Sequence, residues 1–149
     1  MDSEHTQDFR PLDERERKLL ERLLDHHEFE GRDQLRRQLD SATARLIGEY
    51  NDNYGSIQLR VASPIRATVR YRVPVEAEYP DIDGIPVWVL LHVDADGFLS
   101  ELEICRADGR PLQSPPTPER IEPFSANYDS LAEGRAGASK VANRRREVR

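Results

Sequence analysis

The stretch from Ile85 to Cys105, IPVWVLLHVDADGFLSELEIC, decides the fold. An apolar run, Ile85 to Val93, meets the turn Asp94-Ala95-Asp96-Gly97 and then a second run, Phe98 to Cys105. Two such runs around a short Asp/Gly loop spell a β-hairpin. In the first run Ile85, Val87, Val89, Leu91 and Val93 fall on one face, and Pro86, Trp88, Leu90 and His92 on the other. A strand apolar on both faces needs cover twice, so this one is expected at the centre of a sheet.

Working outward, the chain ahead of the hairpin is strand-like too. Ala67, Val69, Tyr71, Val73, Val75, Ala77 and Tyr79 alternate with Thr68, Arg70, Arg72, Pro74, Glu76, Glu78 and Pro80, which predicts a strand with one wet face. Pro74 cannot donate to a ladder, so the strand lies at an edge or bends there. Earlier still, Ile57, Leu59 and Val61 alternate after the turn cluster 51–55, and Ala42 to Tyr50 is assigned to a strand. At the start, Asp13 with Glu16 forms a capping-box pattern ahead of a stripe of Leu12, Leu19, Leu20, Leu23 and Leu24. Beyond Gly31, Asp33 is the expected cap of a second helix carrying Leu35 and Leu39.

The prediction is an α+β fold in the order ααβββββ. Two N-terminal helices pack on an antiparallel meander of four to five strands. Composition divides the 149 residues into a disordered 1–10, a single domain over 11–121 and a flexible, basic-ended tail over 122–149. Ile121 and Phe124 are candidates to dock the start of that tail.

Three pieces, LLERLLDHHEFEGRDQLRRQL, VPVEAEYPDIDGIPVWVLLHV and DGFLSELEIC with the following PPTPERI, together resemble a family of small bacterial, largely actinobacterial, α+β domains of unknown function. The resemblance spans roughly residues 12 to 121. It implies two helices followed by a β-meander, and it brings no activity, cofactor or catalytic residue.

Charge narrows the function classes. The net charge is −6, yet from Gln113 onward there are 7 basic and 5 acidic residues, leaving 15 basic and 23 acidic before it. An acidic body repels polyphosphate, so no nucleic-acid partner is expected for it. No apolar run is long enough to span a bilayer and the N-terminus has no secretory pattern, so the expectation is a cytoplasmic protein with no membrane partner. The lone Cys105 permits no internal disulfide and reads as a structural thiol.

Several constellations compete with simpler readings. The two Asp-x-Asp-Gly turns resemble part of a calcium loop, but His92 and Tyr79 stand where the first ligand belongs, and hairpins need Asp and Gly on backbone grounds. His26 and His27 diverge on a helix and suit its C-terminal end, so no metal or cofactor is assigned. Arg70 and Arg72, with Arg60 and Arg66 nearby, are weak ligand-binding candidates. Pairing with Glu76, Glu78, Glu101 or Glu103 is the competing account. Arg144 to Arg146 read as a short solvated basic end.

His92 beside Glu101 or Glu103 offers a general base, the weak catalytic candidates of a small hydrolase-type enzyme. The reading preferred over it is a non-enzymatic interaction domain. It self-associates as a homodimer through a second apolar face of Trp88, Leu90 and Phe98. The alternative is an immunity or regulatory protein holding a basic protein partner, or a small ligand, in the groove between helices and sheet.

Overall fold

The computed structural model describes residues 8–47, 55–69 and 71–126. Its strands are β1 (Arg10–Pro11), β2 (Ala42–Leu46), β3 (Ile57–Val61), β4 (Tyr71–Pro80), β5 (Pro86–Val93), β6 (Leu99–Arg106) and β7 (Glu122–Ser125). Helices α1 (Glu14–Leu24) and α2 (Arg32–Gln38) intervene between β1 and β2, and a 3-10 turn, Leu39–Ser41, follows α2. All strands join one sheet in the order β1-β2-β3-β6-β5-β4-β7, with every pairing antiparallel. β5 is hydrogen-bonded on both sides, as its two apolar faces predict.

The α+β class stands, and the strand count is corrected from four or five to seven among the described residues. Arg10 and Glu122–Ser125 were assigned to the ends by composition, but both are paired strands. Short, polar and proline-containing edge strands carry almost no periodicity, so alternation could not reveal them. The simple meander is also corrected. β4, β5 and β6 follow one another in space, but β3 pairs with β6 rather than with β4. The connection 62–70 is long enough to pass the two intervening strands, three strand spacings or about 14 Å. It crosses the end of the hairpin, where the Ala67 N–H donates to the Gly97 carbonyl at 3.0 Å. Ala67 therefore belongs to this crossing and not to β4. Pro74 lies within the register shift between Arg72 and Glu76, the bend its missing N–H called for.

Both helices cover the same face of the sheet. Leu19, Leu20, Leu23, Leu24, Leu35 and Leu39 share one core with Val73, Val75, Ala77, Tyr79, Val87, Val89, Leu91, Val93, Leu99 and Leu102. The capping box forms as read, with Asp13 accepting from the Glu16 N–H at 2.8 Å and Glu16 accepting from the Asp13 N–H at 3.0 Å. Glu16 also receives both Arg10 guanidinium nitrogens, at 2.7 and 2.8 Å, tying β1 to α1. The cap of α2 is Gly31 and not Asp33, because the chain enters at φ 96°, where a glycine is at ease.

Candidate functional site

With α1 and α2 on one side, the register fixes what lies on the other. Arg72, His92, Glu101, Gln58 and Arg45 form one cross-strand row over β4, β5, β6, β3 and β2. Phe124, Glu76, Leu90 and Glu103 form a second row, and Glu122, Glu78, Trp88 and Cys105 a third. Directly opposite residues share a face, so these three rows constitute the far face of the sheet. Among the described residues no helix packs against it.

This face departs from the apolar one expected of Trp88, Leu90 and Phe98. Leu90 is only 7% exposed, already covered by its neighbours, while Trp88 is half-buried. Phe98 sits at the hairpin turn, beyond the Val93–Leu99 pair and far from Trp88 along the strand, under the Arg66 guanidinium at 5.9 Å. Most of the remaining face is charged. Glu76 is fully buried on it, so the even positions of β4 are not uniformly wet.

The structure brings the His92 candidates together in part. His92 Nε2 lies 2.7 Å from Glu103 Oε1 across the β5–β6 pair, with both side chains partly exposed. Glu101 stands directly opposite His92. The hydrogen bond from His92 holds the Glu103 carboxyl below the usual range against the effect of burial, with the Arg72 charge adding to it. Burial pushes Glu101 up, and the Glu103 charge adds to that rise while His92 opposes it. A histidine held against one carboxylate with a second one opposite it is the side-chain pairing that a general base would need. Neither described cleft is lined by His92, though both reach the third row of this face at Glu122. One lies between α1 and β7 and the other at the outer end of β4 and β5.

The arginine candidates disperse. Arg72 faces His92 and acts on Glu103, Arg66 covers Phe98, and Arg70 lies outside the described residues, as do Arg144 to Arg146. The helix–sheet groove exists, between α1 and β7. Its lining sets Lys18 and Arg22, with His26, against Glu21, Asp25 and Glu122, two positive side chains against three negative. The rings of His26 and His27 meet edge-on at 5.6 Å at the end of α1.

Two arrangements escaped the sequence reading. Arg45 and Arg60 both hold their guanidinium carbons over the Phe9 ring, at 4.7 and 3.9 Å from its centroid. Arg106, nearly buried, bridges Asp81, Asp83 and Asp108 at 2.7 to 2.9 Å. The Asp81-Ile82-Asp83-Gly84 turn thus spends its carboxylates on an internal arginine. The Asp94 turn spends its own on the backbone, accepting from the Asp96 and Phe98 N–H groups at 2.8 and 3.0 Å. Asp81, Asp83 and Asp94 are thus engaged within the protein, and among the described residues no three His, Cys, Asp or Glu side chains gather as a metal site.

Against this geometry, comparison with protein families is informative. A family model for a domain of unknown function, DUF6984, matches residues 9–116. The chain belongs to that family. The match takes in β1 through β6 and both helices, so the DUF6984 span contains the hairpin, the His92–Glu103 pair and the Phe9 cluster, while β7 lies beyond it. No curated protein and no solved structure matches the chain. Among the described residues no helix is long and apolar enough to cross a membrane.

Proposed function

We propose that this domain is a non-enzymatic interaction module that self-associates through the far face of its sheet. The observation supporting this is the placement of Trp88. Both helices occupy the opposite face, and Trp88 is half-buried in the third row of the far face, between Glu78 and Cys105. A partly accessible tryptophan ringed by charged side chains is the composition of an interface centre with a polar rim. A sheet face also suits a two-fold contact, because one patch is used twice. Leu90 adds little, being already covered.

Analytical ultracentrifugation of the full chain tests the reading. The wild type is expected to show a concentration-dependent dimer, and Trp88→Arg a monomer that keeps its circular dichroism spectrum. A wild type that sediments as a monomer at every concentration removes the proposal.

The catalytic reading of His92 has the paired carboxylate in its favour and no described cleft around it. The reading as an immunity or regulatory protein with a basic partner draws on the acidic body, but Lys18 and Arg22 in the α1–β7 groove offset all but one of its three acids, which leaves such a partner little charge to follow.

A further inference from the structure

We propose that Arg45 and Arg60, both stacked on Phe9 at the β1–β3 corner of the sheet, form a binding site for a phosphate group, as the free ion or as a monoester. The site needs no second copy of the chain and does not rest on the self-association proposed above.

Two short registers bring the side chains together. On the paired strands β2 and β3, Arg45 lies opposite Gln58 and Thr43 opposite Arg60. Arg10 pairs with Ala44, so Phe9 comes level with Arg45. Ala44 and Leu59 alternate with these residues and sit in the core, which puts Thr43, Arg45, Gln58 and Arg60 on the face away from the helices. Arg60 is exposed, and Phe9, Thr43, Arg45 and Gln58 are half-buried, so a solute can reach the group.

The geometry holds two like charges together. The guanidinium carbons of Arg45 and Arg60 lie 4.7 and 3.9 Å from the centre of the Phe9 ring. They are therefore closer to each other than twice the larger distance. Two cations at that range repel, while the ring attracts each of them without neutralising it. Arg45 is fixed further, because its Nε donates to Gln58 Oε1 at 3.0 Å. That bond leaves the terminal nitrogens of Arg45 and the amide nitrogen of Gln58 as donors.

What the group lacks is an acid. Among the described residues neither arginine forms an ion pair, whereas Arg10, Arg17, Arg32, Arg36 and Arg106 each meet a carboxylate. Glu101 stands beyond Gln58 in the same row, and the charges that act on it are those of His92 and Glu103.

This surplus selects the ligand. Two guanidinium forks beside neutral donors match a doubly charged group, and each fork fits a pair of phosphate oxygens. A single carboxylate would neutralise only one of the two charges. A long polyanion is disfavoured, because the residues before Gln113 carry 23 acidic against 15 basic side chains. At physiological salt that repulsion fades within about 8 Å, so a compact phosphate held at the corner escapes most of it.

An NMR titration of the full chain tests the site, read at the Arg45 Nε–H and the Gln58 side-chain amide. The probes are inorganic phosphate, glycerol phosphate and a phosphoserine tripeptide, with acetate at matched ionic strength as the control. The phosphates are expected to shift both signals saturably, and acetate is not. An ester that binds more tightly than inorganic phosphate identifies the source, a small molecule or a modified protein, and equal binding of all three assigns the free ion. Arg60→Gln is expected to weaken binding about tenfold or more. Arg60→Lys keeps the charge, loses the fork and should weaken it by less. Phe9→Leu keeps both charges and frees them, so binding should also weaken while circular dichroism is unchanged. Trp88→Arg, designed to break the proposed dimer, should bind phosphate as the wild type does, so the two proposals fail separately. The absence of a saturable shift with phosphate, an undiminished affinity in Arg60→Gln, or acetate binding as tightly as phosphate each overturns the proposal.

Discussion

The side-chain oxygen of Gln38 accepts the backbone N–H of Leu99 at 2.9 Å inside the core. The amide nitrogen of the same side chain donates to the Ile65 and Gly97 carbonyls at 2.8 and 2.9 Å. One buried glutamine therefore fastens the end of α2 to the 62–70 crossing and to the hairpin, satisfying groups that the sheet ladder leaves over. Gln38→Leu fills the volume but strands the Leu99 N–H, and is expected to cost about 3 kcal/mol in urea unfolding at unchanged m-value. Gln38→Glu keeps the acceptor and loses the donor. Its buried carboxyl is pushed up, so its stability relative to wild type is best at acid pH and falls as the pH rises. A pH-independent loss in that variant contradicts the clamp.

Gly97 is required for two separate reasons. Its φ is 90°, and a Cβ there would stand 2.3 Å from the Ala67 carbonyl oxygen. Gly84, at φ 87°, would place a Cβ in open space. Gly84→Ala should therefore cost only the backbone penalty, about 1 kcal/mol. Gly97→Ala should cost about 3 kcal/mol or more, since the crossing must also move off the turn. Thermal melts of the pair measure the difference directly. Equal losses would show that the 62–70 crossing yields freely.

Arg106 and the acids around it set the acid limit of stability. Burial opposes the ionisation of Asp81, but the Gln113 N–H, the Arg106 guanidinium, the Ser114 hydroxyl and the Ile82 N–H outweigh it and hold the carboxyl at about 2. Arg106 likewise holds Asp108 and Asp83 below their ordinary range. A carboxyl lowered on folding stabilises the native state above its unfolded pKa, about 3.9, and that stabilisation is lost as the pH falls through the folded value. Wild-type stability should thus decline steeply between pH 4 and pH 2. Asp81→Asn should lose about 2 kcal/mol at neutral pH and show a flatter decline in that window. A variant with the wild-type acid profile would show that Asp81 does not govern it.

The sequence revealed those parts of the molecule where periodicity and turn chemistry act locally. The leucine stripe of α1, its capping box and the 85–105 hairpin all follow from spacing within a dozen residues. What escaped depends on residues distant in the chain. Arg106 meets Asp81 and Asp83 only once β6 lies beside β5, and Phe9 reaches Arg45 and Arg60 only through the two-residue strand β1. Glu122–Ser125, EPFS, has too little alternation to identify itself, and its pairing with β4 supplies what the pattern lacks. The crossing between β3 and β4 was hidden for a related reason. Loop length permits adjacency and does not enforce it, and Gly97 beneath Ala67 is what fixes the route.

His92 and Glu103 provide a test of whether the far face carries an oriented base or an ordinary surface pair. The hydrogen bond at 2.7 Å is the leading reason that the Glu103 carboxyl lies below the usual glutamate range, and His92 also restrains the upward push on Glu101. His92→Phe removes both influences, so both carboxyls should move up in a carbon-detected NMR titration, Glu103 by more. The energetic effect is small because both partners are partly exposed to water, about 0.5 kcal/mol. Glu103 is lowered on folding, so that small contribution is present above the ordinary glutamate pKa and disappears as the pH falls through the folded value. If Glu103 titrates identically in His92→Phe and in the wild type, the pair is not held in solution, and the case for His92 as a positioned base goes with it.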